Sequence, residues 1–260
     1  MPRIDLFLNK TIEQNAALYY EKAKKAKHKK EGVIKAIEDT KRKLEKLIKE
    51  KDSELKKLQQ KQEKQNTRKK EWYEKFHWFY SSEGFLCIGG RDATSNEIIV
   101  KKHTDKEDFL LHTDMAGSPF FVIKNGQKAG EKTLQQAAQA TASYSRAWKL
   151  GHATMEVFYV KPEQVSKTSQ PGEFMPKGAF MIRGETKYIR APLEIAIGVK
   201  ENITIGGPDD AIQNQINKVI RLIPGKDKSS DIAKKIKHAL GGDIDDIISF
   251  IPAGGSAIKK

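Results

Sequence analysis

Ile12, Ala16, Tyr19, Ala23, Ala26, Lys30, Val33, Ile37, Thr40, Leu44 and Leu47 follow one another in steps of four and three, with nearly everything between them polar. That is a 3.5-residue period held over about five heptads, which predicts a coiled-coil seam and not the broader stripe of a helix lying on a globule. A second series, Leu55, Leu58, Gln62, Gln65, Lys69, Trp72, Phe76 and Phe79, repeats the steps one residue out of phase. The offset near Lys49–Ser53 predicts a helical hairpin, or else a stutter in one long helix. The hairpin is preferred, because a narrow seam needs a partner and the nearest lies in the same chain. A homodimer through the arm is the competing arrangement. On this pattern residues 1–80 form a helical arm whose last stretch, Trp72–Tyr80, buries its aromatics against the domain that follows.

From Phe85 onward the pattern changes to short apolar runs separated by turn residues. Strands are predicted at Phe85–Ile88, Glu97–Lys101, Phe109–His112, Phe120–Ile123, Ala153–Val160, Ala179–Ile182, Lys187–Ile189 and Glu194–Val199. Thr133–Lys149 reads as a helix with Thr133 as its N-cap and an alanine-rich packing face. Residues 81–200 are thus expected to form an α+β (mixed α/β) domain. Residues 201–260 are expected to form a C-terminal helical extension, with helices near Asp209–Leu222, Ser230–Leu240 and Ile244–Phe250 and a frayed tail from Ala253. The fold class is α+β: a long N-terminal coiled-coil arm, a compact mixed-sheet domain and C-terminal helices.

Charge sharpens this division. The chain carries a net +14, and residues 1–70 alone hold 22 Lys/Arg against 11 Asp/Glu, a net +11. The basic character therefore lives on the arm, which suits a polyanionic partner and equally a solvated helix that its lysines keep soluble. The arm has no broad apolar face for a membrane surface, and no apolar run approaches the roughly 20 residues of a membrane span. The N-terminus lacks the apolar core of a signal peptide. The single cysteine, Cys87, excludes an intrachain disulfide and a cysteine metal cluster, and its setting in Phe85-Leu86-Cys87-Ile88 reads as a buried small hydrophobe. A cytoplasmic protein with no cofactor is the expectation.

Three loops carry the candidate chemistry. Gly89-Gly90-Arg91-Asp92 can let backbone N–H groups and the Arg91 fork approach a phosphate, although its spacing is neither a Walker loop nor a dinucleotide fingerprint. The alternative is a tight connection in which Asp92 bonds its own turn and pairs with Arg91. His112 and Asp114 share a strand face, but one His and one Asp make an incomplete metal or acid–base site. A structural or RNA-contacting histidine is the better reading. Ser166–Glu173 is rich in hydroxyls and holds Lys167 and Thr168. A Ser–Lys nucleophile there lacks a desolvated lysine and an oxyanion hole, so phosphate binding or a solvated loop remains. Arg183, Lys187 and Arg190 extend the same positive face.

The run Gly89–Glu97, with the aromatic segment Trp72–Phe85 before it and His112-Thr113-Asp114, Val165-Ser166-Lys167-Thr168 and Phe180-Met181-Ile182-Arg183-Gly184 after it, resembles the NFACT family. The similarity extends from about Ile4 to Ile251, is strongest over residues 71–200, and covers that family's coiled-coil segment and its RNA-binding module, NFACT-R. The resemblance implies binding of tRNA and of large-subunit ribosomal RNA, with ribosomal proteins as further neighbours, in ribosome-associated quality control of stalled chains. The family's large N-terminal module and helix–hairpin–helix segment have no counterpart before the arm, so its tail-elongating role is not carried over. The residues taken as RNA-binding are Arg91, Asp92, Asn96, His112, Asp114, Lys167, Thr168, Arg183 and Lys187. Two other classes stay open: a metal-dependent nuclease using Asp92, His112 and Asp114, and a coiled-coil adaptor whose arm binds a protein.

Overall fold

The computed structural model describes residues 4–65, 70–167 and 178–259. They fall into two units, Met1–Lys70 and Glu71–Lys260. In the first unit, Thr11 and Gln14 start a helix reciprocally. The Gln14 N–H donates to Thr11 Oγ1 at 3.3 Å and the Thr11 N–H donates to Gln14 Oε1 at 3.1 Å, which is a capping box. Asn15, only 3% exposed, pins the segment ahead of it by accepting from the Phe7 N–H and donating to the Phe7, Lys10 and Thr11 carbonyls. The helix, α1, then runs Ile12–Gln65 without a break.

The expected hairpin near Lys49–Ser53 therefore does not form. No glycine or proline interrupts Lys46–Leu58, and its Lys, Leu, Glu and Ile residues all tolerate helix, so the one-residue offset passes as a stutter. Seam residues Val33, Ile37, Leu44 and Leu47 are exposed, as is every residue from Glu21 to Lys30. The division at Lys70 also shortens the expected arm of residues 1–80.

Trp72–Tyr80 is not the end of a helix. Trp72–Lys75 is a turn and β1, His77–Tyr80, is a strand. Its four aromatic residues suit a half-buried pleated surface. It pairs antiparallel with β2, Leu86–Gly89, across the Ser81–Phe85 turn. Glu97–Lys101, expected as a strand, lies inside a helix, α2, Ala93–Lys102. Then come β3 (Phe109–His112), β4 (Phe121–Ile123), α3 (Glu131–Ser143), α4 (Arg146–Leu150), β5 (Thr154–Val160), the two-residue strands β6 (Val165–Ser166) and β7 (Met181–Ile182), and β8 (Lys187–Pro192). Strands β1-β2-β4-β3-β5-β8 form one sheet, and β6 pairs with β7.

The single helix expected over Thr133–Lys149 is thus two, and Gly130 caps the first. Thr133 is buried and gives its N–H and hydroxyl to Glu83. Tyr144, at the end of α3, stacks on His77 and on Phe121. The helix therefore covers the sheet face that carries those residues.

The expected helical extension is instead part of the same unit and is half sheet. β9 (Ile195–Lys200), β10 (Ile203–Gly207), β11 (Val219–Asp227) and β12 (Ser256–Ile258) form a second sheet in the order β10-β9-β11-β12. Helices α5 (Asp209–Gln213), α6 (Ser229–Leu240) and α7 (Ile244–Phe250) accompany it. The last two are the helices expected at the C-terminus. The first is a short remnant of the expected Asp209–Leu222, and the tail taken as frayed is strand β12. Every pairing in the two sheets is antiparallel, so the sheets are not mixed.

Long-range hydrogen bonds fasten the α3–α4 segment to the C-terminal segment that carries α7 and β12. Tyr144 Oη donates to the Phe250 carbonyl at 3.0 Å, and Trp148 Nε1 donates to the Gly255 carbonyl at 3.0 Å. Phe76, Phe79 and Phe121 are buried in the shared core, each contributing roughly 1.5–3 kcal/mol by burial. Cys87 is buried there too, and burial pushes its thiol pKa up, as its sequence setting predicted. Among the described residues, no helix is long and apolar enough to cross a membrane.

Candidate nucleic-acid interface

The N-terminus of α2 is built by Asp92 and Ser95. The Asp92 carboxylate accepts from the Ser95 N–H at 2.7 Å, and Ser95 Oγ accepts from the Asp92 and Arg91 N–H groups. This cap overrides the β-branched run Ile98-Ile99-Val100 that reads as a strand. It also commits Asp92 to its own turn, the second of the two roles that its sequence allows.

One turn on, Asn96 ties α2 to the next loop. Only 7% exposed, it accepts from the Phe120 N–H at 3.0 Å through Oδ1 and donates to the Ser118 carbonyl through Nδ2 at 3.3 Å. A Cβ on Gly90 would overlap the Asn96 amide oxygen, so the glycine is needed for this close approach. Asn96 is thus a bracket between two loops, with its amide turned inward.

His112 is held from the same side. Its Nε2 donates to the Ser118 carbonyl at 3.2 Å, and its ring stacks on Phe120 with centroids 4.2 Å apart. Burial lowers its pKa, while bonds to Ser118 and Thr113 and the charge of Asp114 oppose the shift. From His112 a row of rings extends both ways. Phe158 and then Tyr188 lie on one side, Phe120 and then Phe180 on the other.

Each end of the row meets a charged group. Tyr188, 51% exposed, donates its hydroxyl to Asp114 Oδ2 at 3.4 Å. Lys167 Nζ lies 5.4 Å from the centre of the Phe180 ring and 2.7 Å from Glu97 Oε1 on α2. Gly178, at φ +81°, faces Ala93 so closely that a Cβ would meet the Ala93 backbone. The Gly89–Glu97 loop, the His112–Ser118 turn and the segments about Lys167 and Phe180 therefore gather round one aromatic row.

Not every residue expected at the site joins it. In β8, Tyr188 pairs with Phe158 and Lys187 with Tyr159. Alternation therefore turns Lys187 to the opposite face of the sheet. Arg183 is exposed beyond β7, where its backbone N–H and carbonyl bond Gln164. Thr168 lies outside the described residues. Tyr188 and Phe180 in the aromatic row, and Glu97 and Lys101 beside Lys167, are not among the residues expected at the site. Strand alternation next to Lys187 is the one sequence signal that could have found Tyr188.

Arg91 is exposed as a residue, yet its guanidinium is anchored, Nη2 donating to the Phe76 carbonyl at 3.0 Å. Burial lowers its pKa, with the Tyr144 charge acting the other way. Its charge in turn bears on His77, whose pKa burial first and Arg91 second pull down to about 3. Part of the His77 residue remains accessible, but its Nδ1 is buried without a partner among the described residues.

His77 is therefore neutral in the folded protein and takes up a proton on unfolding below pH 6.5. Its contribution to stability is full above 6.5 and is lost as the pH falls toward 3. Carboxylates such as Glu83 and Glu97, with ordinary pKa values of 4.5, act mainly below that value, and His103 and His112, which burial also lowers, contribute alike to wild type and variant. His77→Phe keeps the stacking ring, so it should reduce the stability lost between pH 6.5 and 4.5 by at most about 2–3 kcal/mol. Urea unfolding at the two pH values measures this. An unchanged difference would refute the assignment to His77.

Among the described residues, no three His, Cys, Asp or Glu side chains converge as metal ligands. Asp92 caps α2, His112 bonds the Ser118 carbonyl and Asp114 meets the Tyr188 hydroxyl.

Residues 75–184 match the NFACT protein RNA binding domain. The chain is 44% identical over 203 residues to the archaeal Rqc2 homolog aRqcH of Methanocaldococcus jannaschii, a match covering 74% of this chain and 30% of that one. It is 39% identical over 177 residues to the ribosome quality control complex subunit NEMF of Homo sapiens, covering 67% of this chain and 16% of that one. The C-terminal part of the fibronectin/fibrinogen-binding protein of Streptococcus suis superposes with a TM-score of 0.40 at 17% identity, over 48% of this chain and 47% of that one. The chain thus spans under a third of the length of the curated relatives it matches.

Proposed function

We propose, from the match of residues 75–184 to the NFACT protein RNA binding domain and the likeness to ribosome quality control relatives, that the chain binds tRNA and large-subunit ribosomal RNA in ribosome-associated quality control. It acts in the cytoplasm as a binding module and does not cleave the RNA it holds. The observation that best supports this reading is the gathering of three loops round one aromatic row, with Lys167 at its end and Arg91 at the start of α2. Loops held on a rigid scaffold are where binding groups concentrate. The arm, with its net +11, supplies sequence-independent attraction to phosphates, and ribosomal proteins are its further neighbours.

Pairing of two arms through the exposed seam is the weaker reading, because two arms that each carry +11 over residues 1–70 repel one another. Lys167, at the aromatic row, and Arg91, apart from it with its guanidinium at the Phe76 carbonyl, are the phosphate contacts of the globular unit. Arg91→Ala and Lys167→Ala should each weaken binding of unrelated tRNAs to a similar degree and make the plot of log affinity against log salt shallower by about one. Filter binding across a salt series reads both quantities. Wild-type slopes for both variants would remove this face from the reading, and co-sedimentation with large subunits then tests whether the arm acts alone.

A further inference from the structure

Glu97 stands where an anion would be expected. Its Oε1 receives Lys101 Nζ at 2.7 Å from one turn further along α2, and Lys167 Nζ at 2.7 Å from beyond β6. Two ammonium groups from separate segments thus converge on a single carboxylate oxygen. That is also how lysines meet a non-bridging phosphate oxygen. The carboxylate is not deeply buried, with its side chain 20% exposed against 52% for Lys101 and 31% for Lys167. It can therefore leave for water without stranding a charge. Hydrogen bonds from Lys101 and Lys167 hold the Glu97 pKa at about 2, so it stays charged across the physiological range. Phe180 lies beneath Lys167 and keeps that ammonium in place when its partner changes.

We propose that Lys101 and Lys167 form a phosphodiester-binding subsite that Glu97 occupies in the RNA-free protein. An incoming backbone phosphate displaces the carboxylate and takes over both ammonium groups. Glu97 thus acts as an internal competitor. It keeps two lysines aligned in the free protein and weakens capture of any anion that cannot displace it. The inference rests on the RNA-binding reading above and adds Lys101 and Glu97 to it.

The sign of one substitution tests it. Glu97→Gln keeps an acceptor for the lysines but removes the competing charge. Affinity for deacylated tRNA should rise about three- to tenfold, with the salt slope steeper by about one. Glu131→Gln makes the same charge change on α3, away from this cluster, and measures the general gain from losing an acid. The gain from Glu97→Gln must exceed it. In Glu97→Gln/Lys167→Ala the excess should vanish, because the released ammonium is gone. Thermal melts establish that each variant is folded.

If Lys167→Ala weakens binding while Glu97→Gln weakens it or only equals Glu131→Gln, the competitor is refuted and the RNA face stands. If neither Lys167→Ala nor Lys101→Ala changes affinity, the face itself is wrong. Should Glu97→Gln fail to fold, Glu97→Asp retains the charge but retracts the carboxylate from the bridge. It should then fall between wild type and the expected Gln variant, and affinity no higher than wild type would overturn the proposal.

Discussion

Asn96→Ala is expected to destabilise the globular unit by about 2–4 kcal/mol, a large effect for one polar side chain. Asn96 is 7% exposed, and both ends of its amide are engaged, with the Phe120 N–H and the Ser118 carbonyl. Truncation leaves the Phe120 N–H buried without its acceptor. The Ser118 carbonyl keeps only the His112 bond. An orphaned buried donor costs more than the net worth of the bond it lost. Urea titration followed by tryptophan fluorescence measures the change, which Trp148 reports from the core. RNA binding by the folded fraction should fall too, because the loops on either side of the bracket lose their register. A direct contact of Asn96 with RNA would instead lower affinity and leave stability unchanged, and that result would contradict the bracket role.

Asn96 also illustrates how far sequence reasoning reached. The Gly89–Glu97 run stands out in the sequence as a candidate loop, and Asn96 lies within it, but its amide points inward. One letter cannot distinguish a polar group that meets a ligand from one that satisfies a buried backbone. The same gap hid Glu97. Ile98-Ile99-Val100 is β-branched and apolar, so the segment reads as a strand. The Asp92–Ser95 cap turns it into a helix and brings Glu97 within reach of Lys101.

Elements with a strong two-residue alternation or clear turn residues at both ends were readable, as Phe109–His112 and Ala153–Val160 show. The run Val219–Leu222, which ends the helix expected over Asp209–Leu222, belongs instead to the strand Val219–Asp227. Only pairing with β9 and β12 makes it a strand. That pairing joins residues far apart in sequence, and no local pattern encodes it. The hairpin in the arm was inferred from the need of a seam for a partner. An unbroken helix has the same local propensities, so the pattern could not decide between them.

Replacing Lys22, Lys24, Lys25, Lys27, Lys29 and Lys30 together by Gln should make the salt dependence of RNA binding shallower by about two to three units of slope. All six are exposed on α1. At about 100° per residue they point in all directions round the helix. An RNA surface lying along one side can therefore touch only about half of them. Each neutralised phosphate contributes roughly 0.7–0.9 to the slope, and three contacts give the expected change. Glutamine preserves helix propensity, and of the seam residues in this stretch Ala23 and Ala26 are untouched while Lys30 exchanges one polar side chain for another. The loss thus reads charge and not folding, as circular dichroism of the variant would verify. At low salt the affinity should drop by more than tenfold, beyond the effect of Lys167→Ala. A slope within about half a unit of wild type would mean that these lysines keep the arm solvated and take no part in binding. In that case the exposed Val33–Leu47 seam, and not the charge around it, is what the arm offers a partner, and its partner is a protein.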